Sequence, residues 1–288
     1  MKQILVTGSN GQLGSELQFL SENYQYQFIF TDVADLDITD LSALKSFFVK
    51  NEIDYIINCA AYTAVDKAEE EREFSNLLNY KAVANLLEAS EEKQSKLFQI
   101  STDYVFGGMH NTPLREDLET HPESAYGESK LRGEQVAMES ERSLIIRTSW
   151  LYSSYGNNFV KTIRKYAQER EQLSVVFDQV GTPTYARDLA QAILDIIDLS
   201  EKENLFKSGI YHYANEGVLS WYDFALEISQ LSKIKVDIYP VLSEQFPTPA
   251  KRPAFSVLDK HKIKTTFGLS IPYWKDSLKK CISILEKE

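Results

Sequence analysis

A tyrosine and a lysine near mid-chain have the types and spacing needed to move a proton. Tyr126 and Lys130, in the segment YGESK, lie four residues apart, so on a helix they share one face. A phenol with a pKa of about 10 is a poor acid at neutral pH, and a neighbouring ammonium group lowers that pKa. The same spacing occurs on many solvated helices, so the meaning of the pair depends on its surroundings.

A glycine-rich segment at the beginning of the chain, GSNGQLG, could hold a dinucleotide pyrophosphate. Gly8 and Gly11 follow the apolar segment ILV, and Gly14 lies at the start of the helical pattern that comes next. Glycines let the backbone approach phosphate closely, and a helix N-terminus supplies oriented N–H donors. The spacing is G-x-x-G-x-x-G rather than G-x-G-x-x-G, and a tight turn without a ligand is the other interpretation. Together with a proton-transfer pair, this turn predicts a hydride-transfer enzyme.

Acidic and hydroxyl side chains follow other apolar strands. Asp32 ends the second strand, where an acid commonly binds the adenosine ribose hydroxyls and disfavours a 2′-phosphate, although aspartate also caps turns. Asp37 begins a helical segment and could also reach the adenine. At the end of the fourth strand, Thr102 could bond a reacting carbonyl and stabilise the developing alkoxide, or it could satisfy a turn. The segment NCAAY, residues 58–62, has small residues that suit passage beneath a cofactor.

The elements that must position these residues alternate between strand and helix over about the first 150 residues. Strands rich in Ile, Val, Phe and Tyr are typical of a parallel sheet covered on both faces. The predicted strands are Gln3–Thr7, Gln27–Thr31, Tyr55–Cys59, Lys96–Ile100 and Leu144–Arg147. The predicted helices include Leu13–Ser21, Leu41–Lys50 and Phe74–Glu91. This alternation predicts an α/β fold with a Rossmann-type, doubly wound parallel sheet.

Beyond about residue 150 the pattern becomes irregular. The predicted helices there are Phe159–Gln168, Ala186–Leu199, Trp221–Leu231 and Tyr273–Leu285. The predicted short strands are Leu173–Val176, Ile210–Tyr213 and Lys235–Ile238. We therefore predict a dinucleotide-binding domain over residues 1–150. A smaller α/β substrate-binding lobe is expected over residues 151–288, partly interwoven with the sheet.

Composition excludes several classes of function. The 288-residue chain has a formal net charge of −11, which argues against nucleic-acid or acidic-membrane binding as its main task. It contains no apolar run of the roughly 18 residues needed to span a bilayer. Its two cysteines and four histidines show neither a disulfide framework nor metal-ligand spacing. We therefore expect a soluble cytoplasmic protein that binds neither nucleic acid nor membrane.

Several segments together resemble the extended short-chain dehydrogenase/reductases, and more narrowly their dTDP-4-dehydrorhamnose reductase family. These segments are Gly8–Gly14, Asn58–Asp66, Ser101–Phe106, Tyr126–Lys130, Arg147–Tyr152, Gly156–Phe159, Asp178–Thr184, Gly209–Tyr213 and Arg252–Pro253. The similarity covers nearly the whole chain, and STDYVF and DQVGTPT are specific to this branch. It implies NADH- or NADPH-dependent reduction of the C4 keto group of dTDP-4-dehydro-L-rhamnose, the last step of dTDP-L-rhamnose synthesis.

The resemblance also implies roles for individual residues. The catalytic residues that it implies are Thr102, Tyr126 and Lys130. The cofactor-binding residues that it implies are Gly8, Asn10, Gly11, Gln12, Leu13, Gly14, Asp32, Asp37, Ile38, Ala60, Ala61, Tyr62, Tyr126 and Lys130. The expected substrate-binding residues are Thr102, Asp103, Tyr104, Tyr126, Trp150, Asn158 and Arg252. Among them Trp150 should line the sugar pocket, and Arg252 should bind the diphosphate unless it forms a surface salt bridge instead.

A metal site and a dimer are further properties of some members of this family. Those members hold magnesium between two subunits through glutamates. Glu16 matches one such position, but Arg187 stands where another glutamate would be. A cation in place of a ligand opposes metal binding, so we expect catalysis without magnesium. Whether the chain forms a homodimer stays open.

Two other functions fit the same fold. One is an NAD-dependent sugar-nucleotide epimerase or dehydratase that retains its cofactor through a full cycle. The dehydratases add an acid pair after the hydroxyl residue, whereas Asp103 is followed here by Tyr104. The other is a non-catalytic regulatory subunit, against which the intact pair of Tyr126 and Lys130 argues.

Overall fold

The computed structural model describes residues 1–287, which form strands and helices in alternation. The strands are β1 (Gln3–Thr7), β2 (Gln27–Thr31), β3 (Ile53–Asn58), β4 (Lys96–Thr102), β5 (Ser143–Thr148), β6 (Leu151–Tyr152), β7 (Gln172–Val176), β8 (Val180–Gly181), β9 (Thr184–Tyr185), β10 (Gly209–His212), β11 (Leu219–Ser220) and β12 (Asp237–Val241). The helices are α1 (Gln12–Ser21), α2 (Leu41–Lys50), α3 (Arg72–Asn76), α4 (Ala82–Ala89), α5 (Ala125–Met138), α6 (Phe159–Glu169), α7 (Ala186–Glu203), α8 (Trp221–Leu231), α9 (His261–Phe267) and α10 (Trp274–Leu285). None of the helices within residues 1–287 is long and apolar enough to cross a membrane.

A six-stranded sheet forms the centre of the fold. Its strand order is β2-β1-β3-β4-β5-β10, and every neighbouring pair is parallel. Because all six strands run the same way, their carboxyl ends meet at one edge, where ligands of open α/β sheets bind. The segments that follow Thr7, Asn58 and Thr102 therefore leave the sheet along the same edge. The predicted doubly wound parallel sheet is confirmed.

Apolar layers cover both faces of this sheet. On one face Leu17 of α1 and Ile193 of α7 belong to a cluster with the inward-facing strand residues. On the other face Leu44 of α2 and Leu86 of α4 belong to a second cluster. Each side chain is fully buried, so burial of both faces stabilises the sheet and fixes the edge that carries the site.

The part of the chain beyond residue 150 contributes both to the central sheet with its covering helices and to a second lobe. Strand β10 becomes the sixth strand by pairing with β5, and α7 packs against α1. The remaining elements form a separate apolar cluster around α6, α8 and α10, which includes Val160, Phe224 and Leu278. A two-stranded parallel pair, β7 with β12, also belongs to this lobe. The second lobe is thus smaller than residues 151–287, because part of that segment completes the sheet.

The helix predicted over Phe74–Glu91 is interrupted. A π-helical turn at Leu77–Lys81 separates α3 from α4. Within that turn the carbonyl oxygen of Asn79 lies so close to α5 that a Cβ on Gly133 would be 2.1 Å from it. A π turn shifts carbonyl groups out of the regular pattern of α-helical hydrogen bonds. This interruption accompanies packing against α5, so the spacing of apolar residues in the sequence did not predict it.

Candidate functional site

The glycine turn between β1 and α1 brings the backbone against the end of β3. Gly8 has a φ of +63°, and a Cβ there would lie 2.6 Å from the backbone nitrogen of Ala60. A Cβ on Gly14 would lie 2.5 Å from the carbonyl oxygen of Gly8. Helix α1 begins after the N-cap residue Gly11, which has no side chain, so its first N–H groups receive no side-chain acceptor there. This turn therefore fits a phosphate group of a dinucleotide.

A cavity of about 360 Å³ extends from this turn along the ends of β2 and β3. Its lining includes the predicted residues Gly8, Gly11, Asp32, Asp37, Ile38, Ala60 and Ala61. The Asp32 carboxylate accepts hydrogen bonds from the backbone N–H of Asn10 at 3.0 Å and of Val33 at 2.8 Å. Asp32 therefore caps the turn, as one interpretation of the sequence had it, and it also lines the cavity. Its binding to the adenosine ribose stays a prediction.

Two predicted cofactor residues, Asn10 and Tyr62, line neither this cavity nor the one that continues from it. The side chain of Asn10 is exposed, and its contribution to the site is the N–H bonded to Asp32. Tyr62 lies beside the cavities: its hydroxyl donates to Glu71 at 2.6 Å, and its ring packs edge-on against Phe74 at 5.6 Å between centroids. Its role in cofactor binding stays a prediction.

A second cavity, of about 510 Å³, continues from the first and contains the proton-transfer residues. Gly11, Cys59 and Ala61 line both cavities, which makes them one continuous cleft. The lining of the second cavity includes the predicted residues Gln12, Leu13, Thr102, Asp103, Tyr104, Tyr126, Lys130, Trp150 and Asn158. The length of the cleft and its glycine-lined centre suit a nicotinamide dinucleotide with a second ligand beside it.

Helix α5 presents Tyr126 and Lys130 to this cavity. The helix begins after Ser124, whose hydroxyl accepts a hydrogen bond from the N–H of Gly127 at 3.1 Å. This N-cap fixes the first turn, so Tyr126 lies at the end of the helix nearest the cleft and Lys130 one turn further along. Both side chains are buried, and the lysine amino group donates to the carbonyl oxygen of Ile100 at 2.5 Å.

The electrostatics of this pair differ from the expectation that Lys130 lowers the phenol pKa. Burial raises the pKa of Tyr126 to about 12, and a hydrogen bond with Thr102 acts in the opposite direction. Burial lowers the pKa of Lys130 to about 8, against the attraction of Glu134. Desolvation is the larger effect on both groups, because the cleft removes them from water. Tyr126 is therefore a protonated phenol at neutral pH.

Thr102 and Asp103 form a polar corner beside Tyr126. The hydroxyl of Thr102 donates to Asp103 Oδ1 at 3.0 Å and accepts from the N–H of Tyr104 at 3.2 Å. The other carboxylate oxygen of Asp103, Oδ2, is buried and has no hydrogen-bond partner among residues 1–287. Burial raises the pKa of Asp103 to about 6. A buried carboxyl oxygen without a partner is suited to bond a polar group of a ligand.

Two stacked tryptophans close the other side of the cavity. Trp150 has a φ of +48°, and its ring lies parallel to that of Trp221 with 3.6 Å between centroids. Sequence reasoning missed Trp221 as a site residue. Its only signal was the capping box of Ser220 with Asp223, which indicates the beginning of α8 but not the direction of the ring. The two rings form a flat apolar wall that suits the C–H surface of a sugar.

Arg252 lines a third cavity, of about 630 Å³, in the second lobe. Its guanidinium group donates to both carboxylate oxygens of Asp66, at 3.1 and 2.8 Å. Arg252 therefore forms the salt bridge that was the alternative to diphosphate binding. It also lines the cavity, and its binding of a diphosphate stays a prediction. Trp221 lines this cavity and the catalytic cleft, so the two spaces adjoin.

Glu16 and Arg187, the positions that match magnesium ligands in some family members, form an ion pair in this structure. Arg187 donates from Nε to Glu16 Oε2 at 2.7 Å, and Ser153 donates to Glu16 Oε1 at 2.6 Å. Both oxygens of this fully buried carboxylate are thus engaged by protein donors. Over residues 1–287, no group of three or more His, Cys, Asp or Glu side chains is arranged to hold a metal ion. The residues at this position do not fit a magnesium ion.

Comparisons with known proteins agree with this geometry. A family model described as RmlD substrate binding domain matches residues 1–287. The chain is 39% identical to dTDP-4-dehydrorhamnose reductase of Aggregatibacter actinomycetemcomitans, over 97% of this chain and 98% of that protein. The crystal structure of a dTDP-4-dehydrorhamnose reductase from Clostridium acetobutylicum is 44% identical, with a TM-score of 0.94 and 99% of each chain covered. One from Bacillus anthracis, in complex with NADP, is 39% identical, with a TM-score of 0.93, over 99% of this chain and 100% of that chain.

Proposed function

The chain belongs to the RmlD substrate binding domain family together with the dTDP-4-dehydrorhamnose reductases, and on that premise we propose that it reduces dTDP-4-dehydro-L-rhamnose to dTDP-L-rhamnose. It is an NAD(P)H-dependent oxidoreductase. The observation that carries the proposal is the single cleft in which Thr102, Tyr126 and Lys130 lie beside the glycine turn.

The chain's own residues supply proton transfer and orientation. When bound, the reduced nicotinamide cofactor supplies the hydride. Because the pKa of Tyr126 is about 12, its hydroxyl keeps its proton at neutral pH and can donate it to the oxygen of the reacting carbonyl. Thr102, which lines the cavity with Tyr126 and donates to Asp103, holds that oxygen in place. Lys130 fixes the cofactor-facing side of the site by its bond to Ile100.

The adjoining cavity of about 630 Å³ is our proposed site for the nucleotide part of the substrate. Phe159, Tyr166 and Phe246 contribute aromatic surface to it, which suits a nucleobase. Arg252 lines this cavity, which adjoins the catalytic cleft at Trp221, and there it could bind the diphosphate that joins nucleoside to sugar. Its partner Asp66 is partly exposed, so a diphosphate could compete for the guanidinium group. In this proposal Trp150 and Trp221 wall the deoxysugar.

Asp32 supports the proposal that the enzyme uses NADH with a kcat/KM at least equal to that for NADPH. Its carboxylate lines the cavity at the end of β2, where a 2′-phosphate would meet a like charge. The Bacillus anthracis relative was solved with NADP, so members of the family do bind the phosphorylated cofactor. Measured kcat/KM for the two cofactors decides the preference, and a strong bias toward NADPH would contradict it.

We further propose a cytoplasmic enzyme that works without magnesium. Cys59 and Cys281 are free thiols, which a reducing compartment preserves. The ion pair of Arg187 with Glu16 occupies the position where a metal ligand was considered.

The test of the function is stoichiometric oxidation of reduced nicotinamide with dTDP-4-dehydro-L-rhamnose, followed by absorbance. Tyr126→Phe should lose about 10²- to 10⁴-fold in kcat while it still binds the cofactor, because only the donated proton is removed. Tyr104→Phe removes the hydroxyl of a neighbouring tyrosine, whose ring lies 5.5 Å from that of Tyr126 between centroids. Because Tyr104 is a predicted substrate contact and not the proton donor, this comparison variant should change KM and keep kcat within about tenfold of the wild type. Near wild-type turnover of Tyr126→Phe would contradict the assignment. If the wild-type protein converts the sugar without net oxidation of the cofactor, it is an epimerase. If it shows no turnover at all, it is a regulatory subunit.

A further inference from the structure

A buried ion pair lies behind the catalytic residues, outside the cleft. Glu134 and Arg147 are each only 2% exposed. Arg147 donates from Nη2 to Glu134 Oε2 at 2.7 Å and from Nε to Oε1 at 2.9 Å. Neither residue lines the catalytic cavity. Burying two charges is costly, and hydrophobic residues of similar volume often stabilise a core equally well. The pair is therefore poorly explained by stability alone.

The pair joins the strands and the helix that carry the catalytic residues. Glu134 lies one turn beyond Lys130 on α5, and its Oε1 accepts a hydrogen bond from Ser101 at 2.5 Å. Ser101 is next to Thr102 and follows Ile100, whose carbonyl oxygen binds the lysine amino group. One carboxylate thus connects α5 with the carboxyl end of β4.

Arg147 extends this connection to β5 and to the wall of the sugar site. It lies in β5 three residues before Trp150, and its guanidinium group lies 4.9 Å from the ring centroid of Phe106. His212 of β10 faces the same guanidinium group, with Nε2 at 3.5 Å from Nη1. Burial, followed by the charge of Arg147, lowers the pKa of His212 to about 3, so the ring is neutral at neutral pH.

Two neighbouring side chains, Glu134 and Cys59, act on the charge of Lys130. Tyr126, on the same helix, is a neutral phenol, and burial raises the pKa of the Cys59 thiol at the end of β3, which keeps it neutral. Glu134 is the carboxylate that favours the charged lysine, against the burial that lowers the pKa of Lys130 to about 8. Arg147 opposes this attraction because it lies on the same carboxylate.

We propose that Glu134 and Arg147 are positioning residues for the reductase site: they hold α5 against β4 and set the charge of the Lys130 amino group. The two residues have opposite effects on that charge. Removing the carboxylate takes away the attraction that favours the ammonium form and leaves the buried cation of Arg147 unbalanced. Removing the guanidinium group leaves an unbalanced carboxylate, which favours it. The role assigned to Lys130 in catalysis rests on the proposed function, but the effect of the pair on its charge does not.

The test is the titration of Lys130 in the full-length protein, followed by NMR of its side-chain amino group and assigned with Lys130→Arg. Glu134→Gln should lower the titration midpoint by about one pH unit or more, and Arg147→Met should not lower it. The alkaline limb of the kcat/KM profile should move in the same directions. A purely structural pair would shift both variants alike or not at all, and either result overturns the proposal. Ser101→Ala keeps both charges and should leave the midpoint unchanged.

A neutral double variant keeps the test decisive if a single variant fails to fold. Glu134→Gln combined with Arg147→Gln leaves no unpaired buried charge. Its Lys130 midpoint should fall below that of the wild type, because the carboxylate that favours the ammonium form is gone; an unchanged midpoint overturns the proposal. Since the titration needs no substrate, a wild-type protein without reductase activity would refute the proposed function and still leave this inference decided.

Discussion

Replacing Arg187 by methionine should destabilise the protein because it leaves a buried carboxylate without its counter-ion. Glu16 is fully buried, and Arg187 bonds it at 2.7 Å while 23% of its own side chain is exposed. Methionine keeps an apolar chain near Phe19, whose ring centroid lies 4.1 Å from the guanidinium carbon. The substitution therefore removes the charge and the hydrogen bond with little loss of packing.

The expected loss in the free energy of unfolding is about 3 kcal/mol. Breaking a buried ion pair by removing one partner typically costs about 3–5 kcal/mol. The lower end applies because Arg187 is partly solvated and because Ser153 still donates to the carboxylate. For a chain of 288 residues the unfolding entropy is about 0.6 kcal/mol per kelvin, so the melting temperature should fall by about 5 °C.

The assay is urea unfolding followed by circular dichroism, with thermal unfolding as a second measurement. The matched control is Lys45→Met, because Lys45 forms an ion pair of 2.6 Å with Glu88 in which the side chains are 53% and 57% exposed. That exposed pair should contribute less than about 1 kcal/mol. Millimolar magnesium should change neither the stability of the wild type nor its turnover.

Two results would refute this reasoning. A loss no larger than that of Lys45→Met would show that the Glu16 carboxylate does not depend on Arg187. Activity abolished by a chelator and restored by magnesium would show that the protein holds a metal despite the ion pair. Because Glu16 belongs to α1 and Ser153 follows β6, the variant should also weaken cofactor binding, which fluorescence titration of the reduced nicotinamide would measure.

Three further substitutions test the ligand assignments. Asp32→Ala should raise the kcat/KM ratio of NADPH to NADH by about tenfold or more, since a like charge near the 2′-phosphate is removed; an unchanged ratio would contradict this. Arg252→Ala should raise KM for the sugar nucleotide with little change in kcat, and an unchanged KM would exclude the diphosphate role. Trp221→Ala should raise the same KM because it opens the wall shared by two cavities, whereas a loss confined to cofactor binding would place the sugar elsewhere.

Short-range signals were sufficient for many of the elements. The predicted bounds of Gln3–Thr7, Gln27–Thr31, Leu41–Lys50 and Trp221–Leu231 agree with the structure. Apolar period and capping residues determine such elements locally. Asp40, for example, caps α2 by accepting hydrogen bonds from the N–H groups of the second and third helical residues, at 2.9 and 3.0 Å. The strand-to-helix alternation then predicted the parallel sheet.

The chemistry of the cleft was also largely readable, because it depends on residues close in sequence. Four-residue spacing put Tyr126 and Lys130 on one face of α5, and the glycine segment put Gly8 at a turn that requires a left-handed backbone. Their pKa values were not readable. Burial dominates the pKa of both groups in the pair, and burial depends on every element packed around them.

Partners distant in sequence were decided only by the tertiary structure. Arg187 and Glu16 form an ion pair although they are 171 residues apart in sequence, and Arg252 and Asp66 do so at a separation of 186 residues. The ring of Trp221 stacks on that of Trp150, which follows β5. Strand β10 joins the central sheet beside β5. A single sequence gives the types of these residues and their local period, and so determines elements and motifs. It contains no information on which distant charges or rings become neighbours, because that depends on how the elements pack and exclude water.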